Sequence, residues 1–224
     1  MNRSELARMI DHTTLGPGSR VEDVERVCRE AKEYGFASVC VEPIYVSRAK
    51  KLLEGETPIV DTVIGFPHGT HTREAKGFEA QVAVEDGADE LDMVVNLPAL
   101  KTGDHQTVAL DIMAVTEVAE KCARDIIVKV ILEMGLLEKD EKQAGCIIAG
   151  ASGADFVKTS TGFGPEGATV EDVELMREIV SDRTGVKAAG GISDYETAMR
   201  MIEAGSTRIG ASSGVEIVKG APDD

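Results

Sequence analysis

Short apolar runs alternate with stretches of helical periodicity from residue 10 to beyond residue 210. The runs Ile10 to Leu15, Ile59 to Gly65, Ile126 to Leu132 and Val186 to Ala189 read as strands. Four more follow glycines that close helical patterns. Gly35 precedes a run ending at Val41, Gly87 one ending at Val95, Gly153 one ending at Lys158, and Gly205 one ending at Gly210. Glycine just past a helix end supplies the left-handed residue that caps it. Helical periodicity fills Val21 to Glu33, Arg73 to Glu85, His105 to Ala123, Glu138 to Ala151, Val170 to Asp182 and Tyr195 to Ala204. The four glycines lie 52, 66 and 52 residues apart, and each interval holds two strand–helix units.

Strands that are apolar on both faces and alternate with helices form a parallel sheet. Eight such units predict an α/β fold of one (β/α)8 TIM barrel, with a short helix ahead of the first strand. The competing doubly wound sheet is weakened because no Gly-x-Gly-x-x-Gly turn follows the first strand. No linker or low-complexity segment divides the chain, so residues 1–224 are expected to form a single domain, with the polar tail 219–224 frayed.

Four charges stand in mid-strand, where both faces should be covered: Asp92, Lys129, Lys158 and Lys187, on the fourth to seventh strands. Neighbouring strands place them side by side if all point inward. Lys158 ends an apolar run and leads into Thr159-Ser160-Thr161-Gly162-Phe163-Gly164. A buried ammonium either finds an anion or becomes a neutral amine, and a neutral amine attacks carbonyl carbon. Three lysines against one nearby aspartate should depress one another's pKa and leave at least one neutral near pH 7, while Glu133 could offset another. The alternative is a buried salt-bridge cluster that only fixes the barrel, or a lysine that snorkels out between helices.

Three loops after strand ends, Ser160-Thr161-Gly162, Gly190-Gly191 and Gly210-Ala211-Ser212-Ser213, are rich in glycine and hydroxyls. Such loops let backbone N–H groups approach an anion, and barrel enzymes commonly hold phosphate at the last strands. Ser212-Ser213 is expected at a helix N-terminus. His68 and His71 are a weak metal candidate without an evident third ligand, so no metal is expected. Cys40 reads as a small buried hydrophobe that could also border the substrate.

A formal charge of −16 argues against nucleic acid as a partner, because its backbone needs a basic face. The same acidity suits an ordinary soluble enzyme or one from a salt-rich cytoplasm, and an anionic substrate would need a locally positive pocket. No membrane span or signal peptide is evident, and four scattered cysteines without a Cys-x-x-Cys pair fit a reduced cytoplasmic protein.

With these residues in hand, the chain resembles the deoxyribose-phosphate aldolases, class I lyases built on a (β/α)8 barrel. The resemblance covers nearly the whole length. It runs through Ile10-Asp11-His12-Thr13-Thr14-Leu15, Gly65-Phe66-Pro67-His68-Gly69, Gly87 to Val94, Val128 to Glu133, Gly153 to Gly162, Lys187 to Ile192 and Arg208 to Ser213. It implies that Lys158 forms the Schiff base, that Lys187 activates it, and that Asp92 takes part in proton transfer. Lys129, Asp11 and Cys40 are implied to line the same pocket. The glycine-rich loops would hold the phosphate through Ser160, Thr161, Gly162, Gly190, Gly191, Gly210, Ala211, Ser212 and Ser213. Some members end in a tyrosine that assists proton transfer; Lys219 to Asp224 contains none.

The reaction implied is reversible cleavage of 2-deoxy-D-ribose 5-phosphate to D-glyceraldehyde 3-phosphate and acetaldehyde, a step in deoxyribose phosphate breakdown. No metal or cofactor is implied, the partners are these small molecules, and a homodimer or homotetramer is expected. Two alternatives stay open: another class I aldolase or transaldolase on a different phosphosugar, and a phosphosugar-binding barrel without catalysis.

Overall fold

Eight parallel strands close on themselves in the computed structural model, which describes residues 1–223. In chain order they are β1 (Ile10–Thr14), β2 (Ser38–Val41), β3 (Ile59–Ile64), β4 (Glu90–Val94), β5 (Ile127–Ile131), β6 (Phe156–Lys158), β7 (Gly185–Ala189) and β8 (Arg208–Ala211). Each pairs with the next, and β8 returns to β1 through Ile10↔Ile209 and Asp11↔Gly210. The chain therefore forms a (β/α)8 barrel rather than an open doubly wound sheet, and no strand edge is left unpaired.

Helix α1 (Arg3–Ala7) precedes the barrel, fixed by a reciprocal cap in which Asn2 Oδ1 accepts from the Glu5 N–H and the Glu5 carboxylate accepts from the Asn2 N–H. The outer layer continues with α2 (Val21–Tyr34), α3 (Val46–Leu52), α4 (Arg73–Glu85), α5 (Leu97–Lys101), α6 (His105–Lys121), α7 (Lys139–Ala151), α8 (Val170–Ile179), α9 (Tyr195–Glu203) and α10 (Gly214–Lys219). All six helices expected from periodicity are present. Two stop early, at Lys121 and Ile179, where Cys122 and Val180 turn extended with ψ of 145° and 152°. Gly35 closes α2 at φ 72°, ψ 41° and donates its N–H to the Ala31 carbonyl.

Alternation along the strands sorts the interior into two layers. Val128 and Val130 flank Lys129, and Val186 and Ala188 flank Lys187; these apolar residues are buried between strands and helices. Burying each such valine contributes about 1.5–3 kcal/mol. The barrel centre, by contrast, is filled by charge. Within the tail 219–224, the Arg3 N–H donates to the Pro222 carbonyl at 3.1 Å and Ala221 is buried. Asp224 of that tail lies outside the described residues. Among the described residues, no helix is long and apolar enough to cross a membrane.

Candidate active site

The barrel register brings the mid-strand charges together. Asp92 lies beside Lys129 across β4 and β5, Lys158 beside Lys187 across β6 and β7, and Lys187 beside Arg208 across β7 and β8. On the other side Asp61 faces Glu90, and Asp11 adjoins Ser38. Lys129 Nζ reaches Glu90 at 2.6 Å, Asp92 at 2.8 Å, Asp61 at 3.1 Å and Asp11 at 3.6 Å. Lys187 Nζ lies 2.5 Å from Asp11, 2.7 Å from Asp92 and 3.1 Å from Asp61. Arg208 closes the circuit at 2.5 Å from Asp11 and 3.1 Å from Glu90. Gly210 allows the packing: a β-carbon there would come within 3.0 Å of Lys187 Cε.

Four cations thus face four carboxylates, which corrects the expected three lysines against one aspartate. The protonation logic changes with it. Burial alone would favour neutral Lys187, but Asp11, Asp61 and Asp92 outweigh it and hold the amine above its ordinary pKa. Lys129 is likewise held well above it, burial being overcome by Asp61, Asp92, Glu90 and Asp11. Cation crowding therefore leaves neither of these two neutral. Burial also opposes ionisation of Asp92 and Asp11, yet the surrounding ammonium groups keep both carboxyls below the usual range. At Glu90 burial prevails and the pKa is raised.

Lys158 differs from the other two lysines by position. Lys129 and Lys187 sit in the middle of five-residue strands, whereas Lys158 is the last residue of β6, at the C-terminal mouth of the barrel. Among the described residues its Nζ contacts one carboxylate, Asp92 Oδ2, at 2.7 Å. Of the three lysines, it alone lines the cavity of about 490 Å³ that opens at that mouth. This is the face where barrels carry their chemistry, and the volume suits a small molecule. Lys129, Asp11 and Cys40 are fully buried and do not wall the cavity. The Cys40 thiol is pushed well above its ordinary pKa, chiefly by burial and next by Asp61.

The three glycine-rich loops converge on the same cavity. Thr161 and Gly162, Gly190 and Gly191, and Gly210 to Ser213 all line it. Ser160 does not; it is buried, its hydroxyl without a hydrogen-bond partner among the described residues. Among the described residues, Glu133 pairs with no lysine. It adopts the left-handed conformation at φ 56°, ψ 60°, and its buried carboxylate accepts from both the hydroxyl and the backbone N–H of Thr161. That contact ties the end of β5 to the loop after β6. His68 and His71 are exposed. The acidic groups close enough together for a metal, such as Asp11, Asp61 and Glu90, already face Lys129.

Asp61, Glu90 and Arg208 are the members of the circuit that sequence reasoning missed. A signal was there: Asp61 interrupts Ile59-Val60-Asp61-Thr62-Val63-Ile64, and Glu90 and Arg208 stand two residues before Asp92 and Gly210, on the same faces. The amine at the mouth, the carboxylate behind it and the donor-rich loops can together bind an anionic carbonyl compound, form an imine and move a proton.

A family model described as DeoC/LacD family aldolase matches residues 6–220. A deoxyribose-phosphate aldolase of Thermococcus kodakarensis is 55% identical over 226 residues, covering 100% of each chain. Among solved structures, a candidate deoxyribose-phosphate aldolase from Coccidioides immitis superposes with a TM-score of 0.93 at 45% identity, over 98% of this chain and 86% of that one. A tetrameric deoxyribose phosphate aldolase from Aeropyrum pernix gives 0.90 at 34% identity, over 97% and 91%.

Proposed function

This chain belongs to the DeoC/LacD family of aldolases, and from that premise we propose that it reversibly cleaves 2-deoxy-D-ribose 5-phosphate to D-glyceraldehyde 3-phosphate and acetaldehyde. The observation that carries the reading is the position of Lys158: at a strand end, on the cavity, with Asp92 Oδ2 2.7 Å from its amine.

The Lys158 amine adds to C1 of the open-chain aldehyde, and loss of water gives a protonated imine. That cation is an electron sink. The C3 hydroxyl gives up its proton, the C2–C3 bond breaks, and its electron pair moves into the enamine while glyceraldehyde 3-phosphate leaves. Asp92 is the nearest carboxylate to the amine and carries protons to and from the reacting centre. The enamine then takes a proton at C2, and water releases acetaldehyde and the free lysine. Lys187 Nζ lies 2.7 Å from the same Asp92 oxygen and holds it in place. Thr161, Gly162, Gly190, Gly191 and Ser212 bind the phosphate and so orient the sugar, supplying binding energy remote from the bond that breaks.

The enzyme acts as a homo-oligomer, as the tetrameric relative from Aeropyrum pernix does, and works in the cytoplasm on small phosphosugars without a metal. The test is borohydride reduction in the presence of deoxyribose 5-phosphate, followed by peptide mass mapping. The expected result is a substrate-dependent adduct on Lys158. An adduct on Lys129 or Lys187 reassigns the nucleophile, and none at all on folded protein overturns the imine mechanism.

A further inference from the structure

The cavity that Lys158 enters has a second cationic side chain, and it comes from the helical layer. Arg26, on α2, lines the same cavity as Gly190, Gly191, Ser212 and Ser213. Apart from it and Lys158, every wall residue is neutral. We propose that Arg26 is the charge partner of the substrate's phosphate monoester and sets the preference for phosphorylated over unphosphorylated sugars. The inference rests on the phosphosugar reading above.

Three observations support it. A phosphate monoester carries about −1.5 to −2 charges at pH 7, and this chain carries −16. Neutral loops alone would have to draw that anion against a repulsive field, so a local cation is needed. Lys158 cannot serve, because it is bonded to C1 while the phosphate sits on C5, at the other end of the sugar.

The guanidinium is also held in place. Its Nη1 donates to Glu30 Oε2 at 2.9 Å, and the same oxygen lies 2.6 Å from Nε2 of His12. His12 is buried on β1, so Glu30 links the arginine to the barrel wall. A tether of this kind lowers the conformational entropy lost when an anion binds.

Finally, Arg26 is left with donors to spend. Its side chain is 43% exposed, and among the described residues the remaining guanidinium donors have no protein acceptor. The planar fork matches phosphate oxygens, and such charge-assisted bonds are about twice as strong as neutral ones.

The test compares deoxyribose 5-phosphate with deoxyribose for the wild-type enzyme, R26Q and R26K, with circular dichroism melts to verify folding. R26Q should raise KM for the phosphorylated sugar about tenfold or more, with kcat changed much less. It should lower the ratio of kcat/KM between the two sugars by a similar factor, and R26K should recover part of that ratio. Inorganic phosphate should inhibit the wild-type enzyme competitively and R26Q more weakly. An unchanged ratio, or an equal loss on both sugars, would overturn the assignment and leave Arg26 a partner of Glu30 only. Wild-type protein that turns over neither sugar would instead sink the phosphosugar reading itself, and the Arg26 proposal with it.

Discussion

Lys158 and Lys187 stand opposite one another on β6 and β7, and both amines reach the same oxygen, Oδ2 of Asp92, at 2.7 Å. One carboxylate oxygen thus joins the residue at the cavity to the circuit below it. Asp92→Asn should lower kcat by about 10²- to 10⁴-fold, the usual worth of a positioned acid or base. It should also destabilise the fold by about 3–5 kcal/mol, since it leaves buried cations short of an anion. Steady-state kinetics and urea unfolding on the same preparation read both effects. A stable variant with normal kcat would remove Asp92 from the proton path.

Replacing Lys158 by arginine keeps a positive charge beside Asp92 but offers no amine that can become nucleophilic at ordinary pH. Cleavage and borohydride adduct should both vanish while the melting temperature falls only modestly. Appreciable residual turnover would show that Lys158 does not carry the imine.

A second buried ion pair tests stability away from the cavity. Lys76 of α4 lies 2.6 Å from Asp111 of α6, both sealed from solvent, and Lys76 also donates to the Val94 carbonyl at 2.8 Å. Lys76→Met should cost about 3–5 kcal/mol by stranding Asp111, whereas the double variant Lys76→Met, Asp111→Leu should recover most of that loss. Urea denaturation of the set decides it; equal losses in the single and double variants would refute the stranded-charge explanation.

The shifted ionisations set the pH range of stability. Asp11 and Asp92 are lowered in the fold, so their stabilising effect is present above the ordinary carboxylate value near 4 and is lost as pH falls further. Lys129 and Lys187 are raised, so theirs is complete below the ordinary lysine value near 10.4 and is lost only as pH rises beyond it. Glu90 and Asp111 are raised by burial and act in the opposite sense just above pH 4. The urea midpoint should therefore change little between about pH 7 and pH 8, decline toward and above pH 9 as the thiols of Cys28, Cys40 and Cys146, raised by burial, ionise more readily in the unfolded chain, and fall steeply below about pH 4. A midpoint that declines steadily across the neutral range would contradict these ion pairs.

Much of the architecture was legible because strand and helix leave different periods in the chain. The strands of the barrel and its six longer helices follow from those periods. The helices α3 and α5 do not, because seven and five residues complete too little of a turn pattern to stand out. Of the site, the charges on β4 to β7 were visible as interruptions of apolar runs. Asp61, Glu90 and Arg208 obey the same rule on β3, β4 and β8, and overlooking them made the lysines seem unpaired. Arg26 carries no comparable signal: on an amphipathic helix it looks like any solvated arginine, and only the closure of the barrel brings α2 beside the loops after β7 and β8.

The balanced circuit inside the barrel also bears on how this fold can diversify. A mutation at any one of its eight members strands a buried charge, so drift there must proceed through compensating pairs. Apart from Thr161, which satisfies the buried Glu133 carboxylate, the loop residues around the mouth carry no such obligation and can be exchanged singly. Lineages built on this barrel should accordingly alter which aldehydes they accept by editing the rim, and pass the charged interior on as one inherited unit.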